Sequence, residues 1–455
     1  MVAIVDIDRA SNTDLAFLAM DTAARSQQFA AVLKLDRQLD PIVAERILVE
    51  RVAEVPRLAQ RLIRTPPGCG RPIWIDDPTF DARRHLTRLG CPVPGDEGAL
   101  VSAAIALLVT PLAKDRPLWR AAFVDGLADG TSAVILVLHH VIADGLGGLA
   151  VLAHLLDQPD RRPAVTVASQ PPSTAQLVGD AVRGQIAAVR RIPQTWRLFR
   201  RSMSAGGGLT PPRAAPCSLL QPTGNRLQVA TVHADVERLR AVAHRHGGTV
   251  NAALVAAVTG ALHTLLVSRG EEIANLAVAL PVAGRPDAQA DRLGNQVSPL
   301  LISVAVTGNA GDRIARIADA VRRRRDLATG PPPIGLLGPV FRFVAARGGY
   351  GWYINRQRRL HTVVSYVRGP AQPVRFAGAG IEAVIPVSAG QSGNITVAFQ
   401  AISYAGTLTV TAVADPDHCP DMDVLSRALQ SELDTLSAAG TAFVDSTPSP
   451  PEPSH

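Results

Sequence analysis

His139-His140-Val141-Ile142-Ala143-Asp144-Gly145 is the stretch on which the reading of this chain turns. Before it, Ser132 to Leu138 is a short apolar run of strand length; after it, Gly145 to Leu156 has the pattern of a helix. The heptapeptide therefore marks a strand-to-helix junction, where a side chain is held by a rigid element and still faces a cleft. Successive residues of a strand point to opposite faces, so only one of the two imidazoles enters such a cleft. Histidine suits the removal of a proton from a hydroxyl near neutrality, because its ordinary pKa is about 6.5. Asp144, four residues beyond His140, either contacts that ring or fixes the loop through another partner, a helix cap included. Gly145 and the Gly147-Gly148 pair let backbone approach closely. A metal site is the poorer reading, since no third ligand sits nearby.

Working outward, Trp119 to Asp125 is a second apolar run, joined to the first through Gly126-Leu127-Ala128-Asp129-Gly130, which predicts a β-hairpin. Asp40-Pro41, followed by Ile42, Ile47 and Leu48, gives a cap, a proline at the first helical position and an apolar stripe that should stop near Pro56. A further helix fits Glu97 to Thr110, with Leu100, Ala104, Leu107 and Leu108 on one face. The second half repeats this style. A helix from Val250 to Leu266 precedes a strand from Leu276 to Val282 that ends in Ala283-Gly284-Arg285, and another helix runs from Asp312 to Arg325. A Gly/Pro-rich patch from Thr329 to Trp352 is followed by strands near Thr362–Val367, Ile381–Val387, Asn394–Ile402 and Thr407–Val413, the last two joined by a tight turn at Tyr404-Ala405-Gly406. A final helix covers Met422 to Leu436. The expected division is an N-terminal subdomain (1–157), a basic Pro/Gly-rich linker (158–225), a C-terminal subdomain (226–445) and a disordered Pro/Ser-rich tail (446–455).

Composition narrows the class. With 455 residues, 47% hydrophobic, 19% charged and 4% aromatic, the chain is neither a disordered polymer, nor a collagen, nor a small disulfide scaffold. Its net charge of +7 admits an anionic partner such as phospholipid or a phosphorylated cofactor. Only Lys34 and Lys114 are lysines; the arginine excess, with abundant Ala, Gly and Pro, reads as genomic composition rather than specific recognition. Cys69, Cys91, Cys217 and Cys419 form no metal-spaced pair, and a reduced, cytoplasmic protein is expected. Asp6, Asp8, Asp14 and Asp21 argue against a secretory signal. The longest apolar stretch, Val250 to Val267, is interrupted by Asn251, Thr259, His263 and Thr264, so it reads as a buried helix rather than a membrane span. Nucleic acid is not an expected partner, as no recognition module appears. Between Ala181 and Ala234 there is no acidic residue but there are eight arginines. Arg190, Arg191, Arg197, Arg200 and Arg201, around Trp196 and Phe199, form either an interfacial helix for anionic lipid or a solvated face packed over the two halves.

His-His-x-x-x-Asp-Gly is the signature of the bacterial wax ester synthase/diacylglycerol acyltransferase family, and the surroundings resemble it too. Arg116-Pro117-Leu118-Trp119 resembles the family's Pro-Leu-Trp element, and Phe80-Asp81, His85 and Pro94-Gly95 fall where it has similar residues. Pro281-Val282-Ala283-Gly284-Arg285 is similar to a Pro-Val-Ser-x-Arg strand end, and Leu293-Gly294-Asn295 to a Gly-Asn element. Ser365-Tyr366-Val367-Arg368-Gly369-Pro370 resembles a Ser-Asn-Val-x-Gly-Pro loop. The similarity runs from about Phe80 to Leu436.

This resemblance implies an α/β fold of two chloramphenicol-acetyltransferase-like subdomains, mixed sheets flanked by helices, with an active-site tunnel between them. It implies an acyl-CoA-dependent O-acyltransferase that moves a long-chain fatty acyl group to diacylglycerol, to a long-chain alcohol, or to both. His140 would be the general base, giving an acid limb in the ordinary histidine range, with His139 supporting and Asp144 in a structural salt bridge for which Arg285 is the candidate partner. His139, Asn295 and the Ser365 region each qualify as oxyanion donor, and no acyl-enzyme is required, in keeping with the absence of a Gly-x-Ser-x-Gly element. Pro117, Leu118, Trp119, Gly369 and Pro370 would contact substrate or CoA. Acyl-CoA is then a co-substrate, with no bound cofactor and no metal, and the protein would sit peripherally on the inner face of the plasma membrane or on lipid droplets. The Arg322 to Arg325 run is either a solvated helix end or a contact for CoA phosphates, and Pro331 to Val344 lines an acyl tunnel, meets a membrane or is a buried loop. Three departures touch acceptor choice and level of activity. Ala252 stands where the family has Asp after Asn251, whose own plain role is helix capping; Tyr366 and Arg368 replace Asn and Pro; and the Pro-Met-His-Val segment is not recognisable around Arg25 to Val32. Two alternatives follow: a condensation-like acyltransferase fed by a carrier-protein thioester, or a non-catalytic relative that binds lipid or acyl-CoA.

Overall fold

A computed structural model describes residues 7–22, 27–157, 171–190, 194, 196–197, 199–200, 213–283, 297–325, 333–388 and 393–444. The N-terminal half contains α1 (Asn12–Met20), β1 (Gln28–Leu35), α2 (Pro41–Val52), α3 (Pro56–Ala59), β2 (Gln60–Ile63), β3 (Ile73–Asp76), β4 (Leu86–Gly90), α4 (Glu97–Val109), β5 (Trp119–Asp125), β6 (Ala133–His139) and α5 (Gly145–Leu155). Helix α6 (Thr174–Arg190) lies in the linker. Beyond it come β7 (Gln228–Asp235), α7 (Val236–Arg245), α8 (Val250–Ser268), β8 (Asn275–Ala283), β9 (Val297–Ala305), α9 (Ala310–Arg325), α10 (Pro333–Ala346) and α11 (Gly349–Ile354). The chain closes with β10 (Thr362–Arg368), β11 (Arg375–Phe376), β12 (Ala379–Ser388), β13 (Val397–Tyr404), β14 (Thr407–Ala414) and α12 (Met422–Val444).

Two six-stranded mixed sheets form the body, ordered β11-β12-β1-β6-β5-β4 and β7-β14-β13-β10-β8-β9. The expected hairpins are present: β5 and β6 pair antiparallel from Trp119↔Leu138 to Val124↔Ala133, and β13 and β14 meet at Tyr404↔Thr407. In the latter turn Ala405 (φ 46°) and Gly406 (φ 87°) are both left-handed, the conformation a two-residue hairpin loop needs to match strand twist. Strand β6 is buried on both faces, and its alternation is clean. Val134, Leu136 and Leu138 join the core beneath α2 and α5, whereas Ala133, Ile135 and Val137 join the core beneath α4. Helix α8 is long and apolar enough to cross a membrane, but most of it is buried at the centre of the C-terminal core, in line with the buried-helix expectation.

The linker does not separate the two sheets. Strands β11 and β12, from the far side of the linker, pair into the N-terminal sheet: β12 runs antiparallel to β1 from Phe29↔Ser388 to Leu35↔Ile381. A division of sheets at residue 226 is therefore too simple, because β1 offers an open edge that only the later segment fills. Tyr404 reinforces this crossing, donating its hydroxyl to Ile381 O (2.9 Å) and accepting from Val374 N (2.9 Å). A second tie joins His233 on β7 to Glu97 on α4, Nε2 to Oε1 3.1 Å; the carboxylate raises the pKa of the imidazole.

The Gly/Pro-rich patch folds differently from a loop. From residue 333 it is helical, with the break confined to Gly338 (φ 47°), after which Pro339 begins a new turn where its missing N–H costs nothing. Val340, Phe343 and Val344 on α10 and Trp352 on α11 are exposed rather than buried. Helix α6 is pinned by Arg9, whose Nε meets Asp180 at 2.5 Å and whose Nη2 reaches Leu177 O at 2.9 Å. Among the basic positions of the linker, Arg191 and Arg201 lie outside the described residues, as does the tail 446–455.

Candidate active site

The junction after β6 is built as its sequence demands. The His140 N–H donates to Gln27 O (2.8 Å), continuing the β1 pairing one residue past the strand, and Ile142 N closes a turn on His139 O (2.9 Å). Asp144 caps α5, its Oδ1 accepting from Gly147 N at 2.9 Å. Arg285, its expected ion-pair partner, lies outside the described residues, as does Asn295.

The strand alternation separates the two imidazoles. His139 follows Val137 toward the α4 side and is 2% exposed. Its Nδ1 accepts the Val141 N–H at 3.0 Å, and its Nε2 lies 3.5 Å from Asp21 Oδ2. Burial acts to raise the Asp21 pKa, but hydrogen bonds with His139 and Lys114 outweigh it and hold the carboxyl at about 2. Lys114 Nζ sits 2.9 Å from the same oxygen. Nδ1 of His139 is thus committed to fixing the loop, while Nε2 faces the Asp21 carboxylate at ion-pair distance.

His140 faces the other way, between two phenylalanines. Phe17 of α1 stacks on it at 5.1 Å and 16°, and Phe29 of β1 packs at 4.8 Å and 43°. Burial in this apolar sandwich, and then the neighbouring His139, lower its pKa to about 4 against a pull upward from a backbone hydrogen bond with Ala143. At neutral pH the ring is uncharged and able to accept a proton. The expected acid limb in the ordinary histidine range is thereby corrected: kcat/KM should hold through pH 6.5 and fall only towards about pH 4. A pH–rate profile whose acid limb lies at 6–7 would contradict this surrounding. Stability has the same sign, since below 6.5 the unfolded chain takes up a proton that folded His140 refuses, so stability declines as pH falls towards 4.

Two glycines hold the geometry. A Cβ on Gly148 would lie 2.8 Å from Phe29 Cε2, so this glycine admits the ring that packs on His140. A Cβ on Gly145 would lie 3.1 Å from Val367 Cγ2, which brings the start of α5 against the Ser365–Pro370 segment of the other half. In that segment Gly369 N donates to Ser403 O (2.9 Å) with no room for a Cβ, and Ala405 N donates to Pro370 O (3.0 Å). Gly369 and Pro370 line a cavity of about 320 Å³ between α5 and strands β12 and β13. Ser365 lies within β10, paired in register with Gln400, partly buried.

Other expectations change. Pro117, Leu118 and Trp119 are buried and support the motif from below rather than facing substrate: Leu118 O accepts the His139 N–H (3.1 Å), and Trp119 Nε1 donates to Leu58 O (2.7 Å). His85 stacks on Trp119 at 4.6 Å. Asn251 is not a cap; Thr249 occupies that position, and Asn251 Oδ1 in the first turn of α8 is shielded from solvent with no hydrogen-bond partner among the described residues. Of the arginines ending α9, Arg322 reaches Gly247 O (2.7 Å), Arg323 pairs with Asp319 and Arg324 meets Leu301 O, which favours the helix-end reading. Phe17, Phe29, Asp21 and Lys114 are the site residues that sequence reasoning missed. Phe29 lies in the very segment where the family's Pro-Met-His-Val is unrecognisable, and no motif in the sequence marks it.

Comparison with known proteins gives concordant matches. The wax ester synthase/diacylglycerol acyltransferase catalytic domain matches residues 11–254, and the WS/DGAT C-terminal domain matches residues 293–437. A protein described as a probable diacylglycerol O-acyltransferase of Mycobacterium tuberculosis (strain H37Rv) is 27% identical over 415 residues, covering 86% of this chain and 87% of its own. Among solved structures, a wax ester synthase/diacylglycerol acyltransferase from Marinobacter aquaeolei VT8 superposes with a TM-score of 0.67 at 20% identity, covering 95% of this chain and all of its own. The starter condensation domain of rhizomide synthetase, solved with C8-CoA, gives 0.62 at 15% identity, covering 96% of this chain and 95% of its own. These likenesses establish the two-sheet acyltransferase fold.

Proposed function

Because this chain belongs to the wax ester synthase/diacylglycerol acyltransferase family, we propose that it transfers a long-chain fatty acyl group from acyl-CoA to the hydroxyl of diacylglycerol, of a long-chain alcohol, or of both. The observation that carries this reading is the neutral, phenylalanine-flanked His140 on a loop locked from behind by His139 and Asp21. In the reaction His140 takes the alcohol proton as the oxygen attacks the thioester carbonyl carbon. The tetrahedral oxyanion collapses, the C–S bond breaks, and the CoA thiolate leaves with the proton from the imidazolium. An imidazolium is disfavoured in this buried slot away from water, so it should form only while the oxyanion stands beside it to offset the charge.

Water-insoluble acceptors call for contact with their surface. Exposed Val178, Val182 and Ile186 follow one face of α6, and exposed Phe343 and Trp352 carry Arg347 and Arg356 over their rings at 3.5 and 5.5 Å. Apolar side chains beside long cations suit the boundary of an anionic lipid layer, which supports a peripheral site at the inner face of the plasma membrane or on lipid droplets. The kinship in fold with condensation domains keeps a carrier-protein thioester as the second donor reading. One assay separates the two: purified protein with labelled palmitoyl-CoA, then with an acylated carrier, and emulsified diacylglycerol or hexadecanol. Ester formed from the CoA thioester is the expected result; ester formed only from the carrier, or none at all, would overturn the proposal.

A further inference from the structure

Two helices with exposed apolar faces border one short segment, Arg9 to Asn12. Helix α10 packs on α1, where a Cβ on Gly338 would lie 3.2 Å from Asn12 Nδ2. Helix α6 is held by Arg9 through Asp180 and Leu177 O. Val178, Val182 and Ile186 face solvent on α6, and Val340, Phe343 and Val344 do so on α10, Phe343 being 59% exposed. Arg342 stands two residues from both Val340 and Val344, about 200° round the helix, and so turns to the opposite, inner side of α10. Its Nε is shielded from solvent and has no hydrogen-bond partner among the described residues. Arg71 lies between the two helices. Its backbone is fixed by Arg9, whose Nη1 donates to Arg71 O at 2.7 Å; Gly70 makes room, since a Cβ there would lie 2.8 Å from that nitrogen. The Arg71 side chain is exposed and makes no ion pair with any described residue. Burial of part of it, and then Arg9 and Arg342, lower its pKa against weaker pulls from Asp14 of α1 and Asp180 of α6. Arginine stays charged regardless, so two guanidiniums within electrostatic reach of each other lack a carboxylate of their own among the described residues.

We propose that Arg71 and Arg342, set between the apolar faces of α6 and α10, bind the phosphate of an anionic phospholipid, and that this is the face by which the protein docks on a membrane. The inference rests on the lipid-surface part of the proposed function and adds to it the face and the headgroup chemistry. A phosphate offers several acceptor oxygens and so satisfies two guanidiniums at once. The apolar flanks decide what carries that phosphate. A free anion has no use for them, whereas a lipid layer takes them in at the acyl boundary and presents its phosphates just above. The position also suits the chemistry, because α1, the helix beneath α10, carries Phe17 against His140.

The test is cosedimentation of the full-length protein with vesicles of phosphatidylcholine alone and of equimolar phosphatidylcholine and phosphatidylglycerol. Each arginine at such a surface is worth roughly fivefold, so anionic vesicles should be favoured by at least about tenfold, and less so as salt is raised. Arg71→Gln combined with Arg342→Gln should cost about tenfold or more on anionic vesicles and nothing on neutral ones. Arg71→Gln alone, at an exposed position, should cost about fivefold and serves if the pair unfolds. Phe343→Ser should weaken binding to both kinds of vesicle. Arg427→Gln, which removes an exposed charge from α12, should change little. Anionic binding that survives the arginine substitutions, or that Arg427→Gln lowers equally, would overturn the proposal. Inorganic phosphate, titrated calorimetrically at matched ionic strength, should not bind; saturable binding lost in the arginine variants would make this a free-anion site and overturn the lipid assignment. Because the readout is membrane binding, its failure leaves the acyl-transfer reading standing, and absence of ester synthesis with vesicle binding intact would sink the catalytic reading alone.

Discussion

His140→Ala lowers kcat by about 10²–10⁴ while leaving the KM for acyl-CoA within about threefold, which is the expected loss when a general base is removed and binding is not. The structure gives the reason for this separation. The His140 ring contacts Phe17 and Phe29, and its backbone N–H is what ties the loop to Gln27; alanine keeps that bond. His139, Asp21 and the Asp144 cap also remain in place. Thermal stability should change little, since the lost aromatic packing is offset by removal of a polar ring from an apolar slot. The measurement is steady-state ester formation, with acyl-CoA affinity determined separately by titration. Equal turnover by wild type and variant would remove His140 from the mechanism, and loss of acyl-CoA binding in parallel with kcat would assign it to binding instead.

The second large effect arises where no reacting group is touched. Gly148→Leu forces a Cβ to within 2.8 Å of the Phe29 ring, which packs on His140 at 4.8 Å, so the shift this demands is expected to carry the imidazole with it. A displacement of about 1 Å at the base costs on the order of 10²-fold in kcat, and the overpacking costs about 1–3 kcal/mol of stability. The double variant Gly148→Leu with Phe29→Ala tests the route of the effect. Space freed by the smaller residue should restore much of the stability, and, with one aromatic wall gone, the acid limb should move up from about pH 4 towards the ordinary value. If the double variant loses activity as the simple product of its parts and keeps the same acid limb, Phe29 is not the element that holds and tunes His140.

Much of this site was legible in residue order. The change of period at His139, the capping aspartate and the glycines after it placed the motif between a strand and a helix, and the two-residue repeat of a strand assigned the histidines to opposite faces. Gly369 and Pro370, expected beside substrate, lie where the segment after β10 packs against β13, Gly369 N donating to Ser403 O. Pro117, Leu118 and Trp119 were expected beside substrate or CoA on the family resemblance, and a matching motif cannot distinguish a side chain that faces a ligand from one that supports the strand beneath it. The Gly/Pro-rich patch misled for a local reason: its breakers fall at a helix start and at one kink, where helices tolerate them.

What the sequence by itself determined is the local arrangement: where the strand meets the helix, which aspartate caps that helix, and which family the pattern belongs to. Tertiary structure alone decided the condition of that residue. Phe17 comes from α1, Phe29 from β1, the buttressing Asp21 from the C-cap of α1 and Lys114 from beyond α4, while the sheet that carries Phe29 and His139 is completed by β12 from the far end of the chain. Each contact joins residues separated by long stretches of chain, and no periodicity or cap signals such a meeting. A pKa depends on everything within a few ångströms rather than on sequence neighbours, so His140 could be proposed as a base from residue order, but its lowered pKa follows only from its surroundings.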